Sequence, residues 1–473
     1  MLLVVAGRLT QFLLLVAGAR FATTLLAPEE MGRIALVTAL TAFFALFLVN
    51  PVGMFINRRL HSWVETGRAR AYLGWYWKYL LLVCASAAVI SIALNTSGLV
   101  TLHMETGWLL LLVCGSLIFN TLNQTAIPSL NLLGYRLPFI VLTLATIAAG
   151  LAAAVGLATA VQPRGEYWLL GLLIGQALFG WMGMRVFYGK LGDHVIRTLP
   201  LTRAACRRLW VFAWPVALAV GFNWMQIQGY RFVLERQVGL AELGVFAAGY
   251  GLSAALLAGV EMILATYFQP AFYRRANDET ADAHAQAWND YAAAVLPAVV
   301  FVTAVVAGAS PEVTVLVLGP AYQDARDYVM LGALAELIRS AGGVYGLIAH
   351  ARMRTRLLLL PNAGGAALTV GLVVGLVPIF GVGAAALAVA AGGMLVVFTM
   401  HWYMRREIAI QLPWRQLGYA LGTGTLLMLM IGGVRPLMPQ PSGPAQAFIY
   451  LSAIGMLAFP IIWSLLRSFV RRG

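Results

Sequence analysis

The chain consists of long apolar segments that follow one another with only short polar stretches between them. Such a segment is about 20 residues or longer, which is the length a helix needs to cross the hydrocarbon core of a bilayer. Hydrophobic residues make up 61% of the 473 residues and charged residues only 11%, which excludes an ordinary soluble protein. The sequence therefore predicts an all-α polytopic membrane protein.

About fourteen segments are long enough to span the membrane as helices. Met1 leads directly into the first of them, so we expect no cleavable signal peptide. The spans are predicted at about 2–27, 33–56, 73–95, 107–133, 137–161, 167–189, 209–228, 243–268, 289–309, 328–350, 357–378, 382–403, 415–434 and 446–466.

The basic residues are distributed unevenly between the two sides of these spans. With the N-terminus inside, 23 of the 32 Lys and Arg residues fall in inner loops and six in outer loops. Because inner loops of membrane proteins are enriched in positive charge, both termini are predicted in the cytoplasm. The net charge of +14 then reflects topology and contact with anionic membrane lipids, and no nucleic-acid partner is expected.

An internal repeat relates the two halves of the chain. An Arg-Phe pair closes one apolar segment at 20–21 and another at 231–232, and a Glu-x-Gly turn opens the next segment at 30–32 and 242–244. Because the two turns are six helices apart, both halves have the same orientation, as in transporters built from parallel repeats. We therefore expect two pseudo-symmetric six-helix lobes and two additional C-terminal helices. These three parts are predicted at 1–190, 209–404 and 415–467.

Ionisable side chains within the spans are the first candidates for a functional site, because their insertion into a membrane is costly. Helix 1 contains Arg8 and Gln11, which share one face, and Arg20 near its far end. The functional interpretation is a cationic wall that meets an anionic substrate. The alternative is that the two arginines reach out to the headgroup layers.

Three further charged residues lie in the second half. Glu336 and Arg339 are three positions apart on one helix and are expected to pair. They form either a structural ion pair or a gate and protonatable switch. Glu261 has no charge one turn away, and it is either a proton-coupling carboxylate or a residue of the inner interface.

Several amides complete the set of cavity candidates, namely Asn50, Asn223 and Gln226, together with Arg231. Their side chains either line a cleft or bond to neighbouring helices. Gly171 with Gly175, and Gly371 with Gly375, form GxxxG pairs typical of close helix packing. The three cysteines and six histidines follow no metal-ligand spacing, so neither a metal site nor a cofactor is expected.

Five stretches, in their order and spacing, resemble the bacterial polysaccharide flippases. These are the Wzx-type translocases of O-antigen and exopolysaccharide units, in the superfamily that includes MATE drug exporters and lipid II flippases. The stretches are the hairpin at 20–32, the turn at 131–136, the hairpin at 229–250, and the turns at 318–322 and 381–385.

The resemblance implies a flippase of the bacterial inner membrane that works by alternating access. Its substrate would be an oligosaccharide repeat unit linked to undecaprenyl diphosphate, moved from the cytoplasmic to the periplasmic leaflet. Arg8 and Arg20 match the helix 1 arginines that meet the diphosphate in related flippases, whereas helix 8 has Glu261 and no evident cation. The implied partners are a coupling proton or sodium ion and the polymerase and chain-length components of the pathway.

Two other functions stay open. A MATE-type exporter of small molecules would need an acidic, aromatic cavity, which the helix 1 arginines disfavour. A membrane polysaccharide polymerase or ligase would need a substantial outer loop, and the outer loops here are short. A guanidinium group also matches phosphate oxygens bidentately. We therefore predict a transporter and not an enzyme.

Overall fold

The computed structural model describes residues 2–98, 101–191, 202–276, 281–352, 354–437, 441 and 443–470. Within these ranges every regular element is helical. The α-helices are α1 (Leu2–Leu25), α2 (Pro28–Phe44), α3 (Asn50–Glu65), α4 (Ala69–Ser97), α5 (Thr106–Leu132), α6 (Arg136–Ala160), α7 (Gly165–Gly189), α8 (Arg203–Trp224), α9 (Tyr230–Ala276), α10 (Ala281–Gly308), α11 (Ser310–Val317), α12 (Arg326–Ala351), α13 (Leu359–Phe380), α14 (Gly383–Met404), α15 (Trp414–Val434) and α16 (Pro444–Val470). Short π-helical segments, Ala45–Val49 and Met225–Gly229, join α2 to α3 and α8 to α9.

The helices confirm the predicted all-α polytopic fold. Twelve segments in the described part of the chain are long and apolar enough to cross a membrane. One of them, Arg203–Arg275, covers two of the predicted spans, because α9 is interrupted at Gly239, which has a φ of 82° and a ψ of 174°. Only glycine adopts such a φ easily, and this break is the predicted turn between helices 7 and 8. With the 24-residue α1, the helices agree in number with the fourteen predicted spans.

The chain folds into two compact units, Met1–Trp224 and Met225–Gly473. We refer to them as unit 1 and unit 2. The second predicted lobe begins at 209, whereas α8 belongs to unit 1. The lobe boundaries of the transport cycle therefore stay a prediction.

In unit 1, α6 and α7 pack with their backbones in close contact. A Cβ atom at Gly175 would lie 2.5 Å from the Cα atom of Gly150, and one at Gly171 would overlap the backbone of Ala154. The prediction of close packing at Gly171 and Gly175 is therefore correct. It is wrong for Gly371 and Gly375 in unit 2, because a Cβ atom there would meet no atom within 4 Å.

A carboxylate joins the α1–α2 turn of unit 1 to the start of α7. The Gly165 amide donates a hydrogen bond of 2.8 Å to Glu30 Oε2, so Glu30 satisfies one of the free N–H groups at the N-terminus of α7. Glu30 Oε1 also lies 3.1 Å from Arg33 Nη1, which is 3.9 Å from Glu166.

In unit 2, small residues bring α9 and α12 close together. Gly332 faces Ser253, and Gly249 faces Tyr328 and Ala325 at distances that leave no room for a Cβ atom. Ser253 and Gly332 have the same offset of 79 positions as Glu261 and Ser340, so the two helices run in the same direction. This close parallel pair positions the charged residues described below.

The two C-terminal helices of unit 2 pack against α10 and α11. Phe301 of α10 forms a small core with Ala420 and Leu427 of α15 and Ala458 of α16. Arg435, which follows α15, lies 2.9 Å from Glu312 of α11 and also donates a hydrogen bond of 2.8 Å to the Gly308 carbonyl. The predicted additional pair is thus fixed to unit 2 by both apolar and ionic contacts.

Candidate functional site

A charged cluster lies between α9 and α12 in unit 2. The guanidinium of Arg339 donates from Nε to Glu336 Oε2 over 2.5 Å and from Nη2 to Glu261 Oε2 over 2.9 Å. The Glu336 side chain is 5% exposed, against 26% for Glu261 and 33% for Arg339. The pair that the sequence predicted is therefore part of a three-residue cluster, since α9 contributes a second carboxylate to the same arginine.

Two hydroxyl groups complete this cluster, and neither was singled out from the sequence. Tyr250, which is buried, donates a hydrogen bond of 3.0 Å to Glu336 Oε1. The Ser340 hydroxyl donates to Glu261 Oε1. A sequence signal existed for Tyr250, because it precedes Glu261 by three helical turns and thus lies on the same face of α9.

The cluster has an excess of negative charge in its ionised form, since two carboxylates face one guanidinium. Separating charges from water is costly unless each is paired and hydrogen-bonded, and the hydroxyls of Tyr250 and Ser340 supply those bonds. The arrangement can therefore hold α9 and α12 together through ionic hydrogen bonds.

A second group lies in unit 1 and contains residues predicted from helix 1. Arg8 Nη1 donates a hydrogen bond of 2.8 Å to Gln11 Oε1, as their spacing indicated. The Arg8 guanidinium carbon lies 5.4 Å from the ring centroid of Phe139 in α6, which is within the range of a cation–π contact. Arg8 is half-buried where α1 packs against α6.

The remaining candidates of unit 1 lie on three separate elements. Arg20 is half-buried near the end of α1. Asn50 is the first residue of α3 and Asn223 lies near the end of α8, and both are half-buried.

Two candidates lie at the start of unit 2. Gln226 is 5% exposed and packs beside Gly365 of α13 and Gly393 of α14, where it fills space that the glycines leave. Arg231 is half-buried, and its Nε atom makes no hydrogen bond within the described ranges. Among the described residues, no hydrogen bond or ion pair joins Gln226 or Arg231 to the Arg339 cluster.

In the part of the chain that the structure describes, no three His, Cys, Asp or Glu residues are grouped closely enough to hold a metal ion.

The fold is that of the MATE-like flippases and exporters. The structure is similar to the lipid II flippase MurJ in its inward closed conformation, with a TM-score of 0.69 and 13% identity over 99% of each chain. It is also similar to an inward-facing MATE family multidrug resistance transporter of the MOP superfamily, with a TM-score of 0.66 and 12% identity over 84% of this chain and 94% of that one. A MATE transporter of Vibrio cholerae matches with a TM-score of 0.54 and 10% identity over 85% of this chain and 94% of that one.

The sequence places the chain in a family. A family model described as polysaccharide biosynthesis protein matches residues 22–327, and the chain belongs to this family. No curated protein sequence matches it significantly. The helices and the fold agree with the prediction of a multi-pass membrane protein.

Proposed function

We propose that this protein is a flippase for a lipid-linked oligosaccharide used in polysaccharide biosynthesis. The observation that supports this best is the combination of the matched family with the fold of a lipid II flippase over 99% of both chains. The MATE transporter with a TM-score of 0.66 covers 84% of this chain. The flippase fold thus accounts for more of the chain than the exporter fold does.

The substrate that fits best is an oligosaccharide repeat unit on undecaprenyl diphosphate, as in Wzx-type flippases. A diphosphate cannot cross hydrocarbon unaided, because an unpaired charge in an apolar medium is very costly. We place the protein in the bacterial inner membrane with both termini in the cytoplasm, as the excess of Lys and Arg in the inner loops supports. The lipid headgroup would then move to the periplasmic leaflet by alternating access.

Arg8 is the residue we assign first to the diphosphate. Its hydrogen bond to Gln11 and its contact with Phe139 hold the guanidinium in one position, and an ordered guanidinium loses little entropy when it binds phosphate. Neither contact neutralises its charge. The other proposed cavity residues are Arg20, Asn50, Asn223, Gln226 and Arg231.

We assign gating or coupling to Glu261, Glu336 and Arg339. A single proton, or a sodium ion in its place, would neutralise the excess carboxylate and change how tightly α9 and α12 are held together. The close parallel packing of these helices around the cluster supports this role.

The proposal is tested by leaflet exchange in proteoliposomes. A fluorescent undecaprenyl-diphosphate oligosaccharide is incorporated, and the fraction accessible to an impermeant quencher is followed over time. We expect exchange well above that of protein-free vesicles, and a loss of about tenfold or more for Arg8→Ala, since a charge-assisted hydrogen bond contributes about 1.5–3 kcal/mol.

The matched control is Arg326→Ala, which removes an exposed arginine that is 3.7 Å from Asp327 and should leave exchange unchanged. Exchange equal to that of empty vesicles would exclude the proposal. Transport of a cationic dye without exchange of the lipid would favour the MATE-type exporter, and lengthening of the sugar chain would favour a polymerase.

A further inference from the structure

The end of α7 in unit 1 is surrounded by basic side chains that lie over aromatic rings. We refer to this surface as the α7 patch. It consists of Arg70 over Tyr188, Arg185 over Trp181 and Lys190 over Tyr135.

Each of the three contacts includes at least one residue from the last turns of α7 or the position that follows it. The Arg185 guanidinium carbon lies 3.6 Å from the centroid of Trp181, Lys190 Nζ lies 5.0 Å from that of Tyr135, and the Arg70 guanidinium carbon lies 5.4 Å from that of Tyr188. The patch draws on three segments of the chain, namely α4, α7 and the turn between α5 and α6. Tyr188 joins two of them, because it also accepts a hydrogen bond of 3.1 Å from Trp77 Nε1 of α4.

All three cations are exposed, and none forms an ion pair with a carboxylate of the residues described. Their exposure makes their charge accessible to an external anion. The aromatic rings fix the cations in place but do not neutralise them, since a cation–π contact leaves the net charge unchanged.

Exposed apolar side chains lie close in the sequence to the patch, on α5, α6 and α7. Leu132 and Leu137 are each 59% exposed, Leu178 is 54% exposed and Met182 is 47% exposed. Tyr and Trp at the edge of such a surface mark the interface between hydrocarbon and headgroups. A ligand that fits both parts must have an anionic head and an apolar tail.

We propose that the α7 patch binds the phosphate of an anionic phospholipid, whose acyl chains lie against the adjoining leucines. Arginine and lysine both recognise phosphate, arginine through two parallel hydrogen bonds and lysine as a point charge. A zwitterionic phospholipid binds less well, because its own ammonium group opposes the patch. The proposal does not depend on the proposed flippase activity.

The test uses the purified full-length protein in detergent and native mass spectrometry with added phosphatidylglycerol or phosphatidylcholine. We expect the wild type to retain phosphatidylglycerol preferentially. The double variant R185Q/K190Q should weaken phosphatidylglycerol binding roughly tenfold or more, since each cation near an anionic lipid surface contributes about 1 kcal/mol. The variant R185K/K190R keeps both charges and should keep the binding.

The matched control is R164Q/R326Q, which removes two exposed cations outside the patch and should leave lipid binding unchanged. Equal retention of the two lipids by the wild type would overturn the proposal, and this result does not depend on any variant folding. Undiminished phosphatidylglycerol binding by R185Q/K190Q would overturn it as well. Displacement of the lipid by millimolar glycerol phosphate would overturn the assignment to a phospholipid, because it would show a site for phosphate alone.

Discussion

Arg339 on α12 donates a hydrogen bond of 2.9 Å to Glu261 on α9, a residue 78 positions earlier in the chain. The same guanidinium bonds to Glu336 on its own helix. One side chain therefore joins two helices of unit 2 and separates two carboxylates. Because α9 and α12 are held this closely by Gly249 and Gly332, the cluster cannot relax by moving the helices apart without losing that packing.

The first prediction concerns the variant Arg339→Gln. It leaves two carboxylates without their cation. We expect the free energy of unfolding, measured in mixed micelles, to fall by about 2 kcal/mol. Breaking a fully buried pair costs about 3–5 kcal/mol, and the partial exposure of Arg339 reduces that cost. The double variant R339Q/E336Q should recover part of the loss, because it removes one of the opposed charges. The two single variants and the double variant form a double-mutant cycle. If the changes in unfolding free energy of R339Q and E336Q simply add up in the double variant, the two residues do not interact.

The second prediction compares two glycines that look alike in the sequence. Gly175→Ala places a Cβ atom 2.5 Å from the Cα atom of Gly150, so α6 and α7 must separate, at a cost of about 1–3 kcal/mol. Gly375→Ala meets no atom within 4 Å and should be neutral or stabilising by up to about 1 kcal/mol, since alanine favours helix. Thermal unfolding in detergent measures both. A lower unfolding temperature for Gly375→Ala than for Gly175→Ala is incompatible with this packing.

The third prediction concerns the carboxylate at the start of α7. Glu30→Ala removes the acceptor of the Gly165 amide, and we expect a loss of about 1 kcal/mol, which is typical of a lost helix cap. Glu29→Ala is the control, because Glu29 lies in the same turn but is exposed. Hydrogen exchange of the first turn of α7 should rise in the Glu30 variant and stay unchanged in the Glu29 variant. Equal exchange in the two variants would show that Glu30 does not cap α7.

The fourth prediction concerns attachment of the C-terminal helices. Arg435 bonds to Glu312 through both Nε and Nη2, at 3.2 and 2.9 Å, and a lysine cannot reproduce this bidentate geometry. We expect Arg435→Lys to raise hydrogen exchange in α15 several-fold, since a charge-assisted hydrogen bond contributes about 1.5–3 kcal/mol. Arg415→Lys, at the opposite end of α15, is the matched control. A change in α1–α7 as large as that in α15 would indicate general destabilisation and argue against a local clamp.

The predicted spans were recovered in type and order, and several helices extend beyond the predicted spans. The span predicted at 73–95 belongs to a helix that runs over Ala69–Ser97, and the span at 33–56 belongs to a continuous run of helix over 28–65. Hydropathy locates the part of a helix that lies in hydrocarbon. It does not locate the end of the helix, because polar residues in the interface can continue the same hydrogen-bonded backbone.

The candidate site was predicted less completely than the fold. The Arg8–Gln11 and Glu336–Arg339 contacts follow from three-residue spacing on one helix, and the structure contains both. The bond of Glu261 to Arg339 could not be predicted in this way, because no charged residue lies one turn from Glu261 on its own helix. The same limit explains why the sequence could not distinguish the two GxxxG pairs. The motif faces another helix in α7, but the same motif has no close neighbour in α13.

The sequence by itself determined that this is a helical membrane protein with about fourteen spans, because length and hydrophobicity are local properties of each segment. It also predicted which polar residues lie within the spans. Only the tertiary structure decided which of those residues meet, as Glu30 meets Gly165 and Glu261 meets Arg339. These contacts join residues far apart in the chain, and they depend on how closely small residues let neighbouring helices approach.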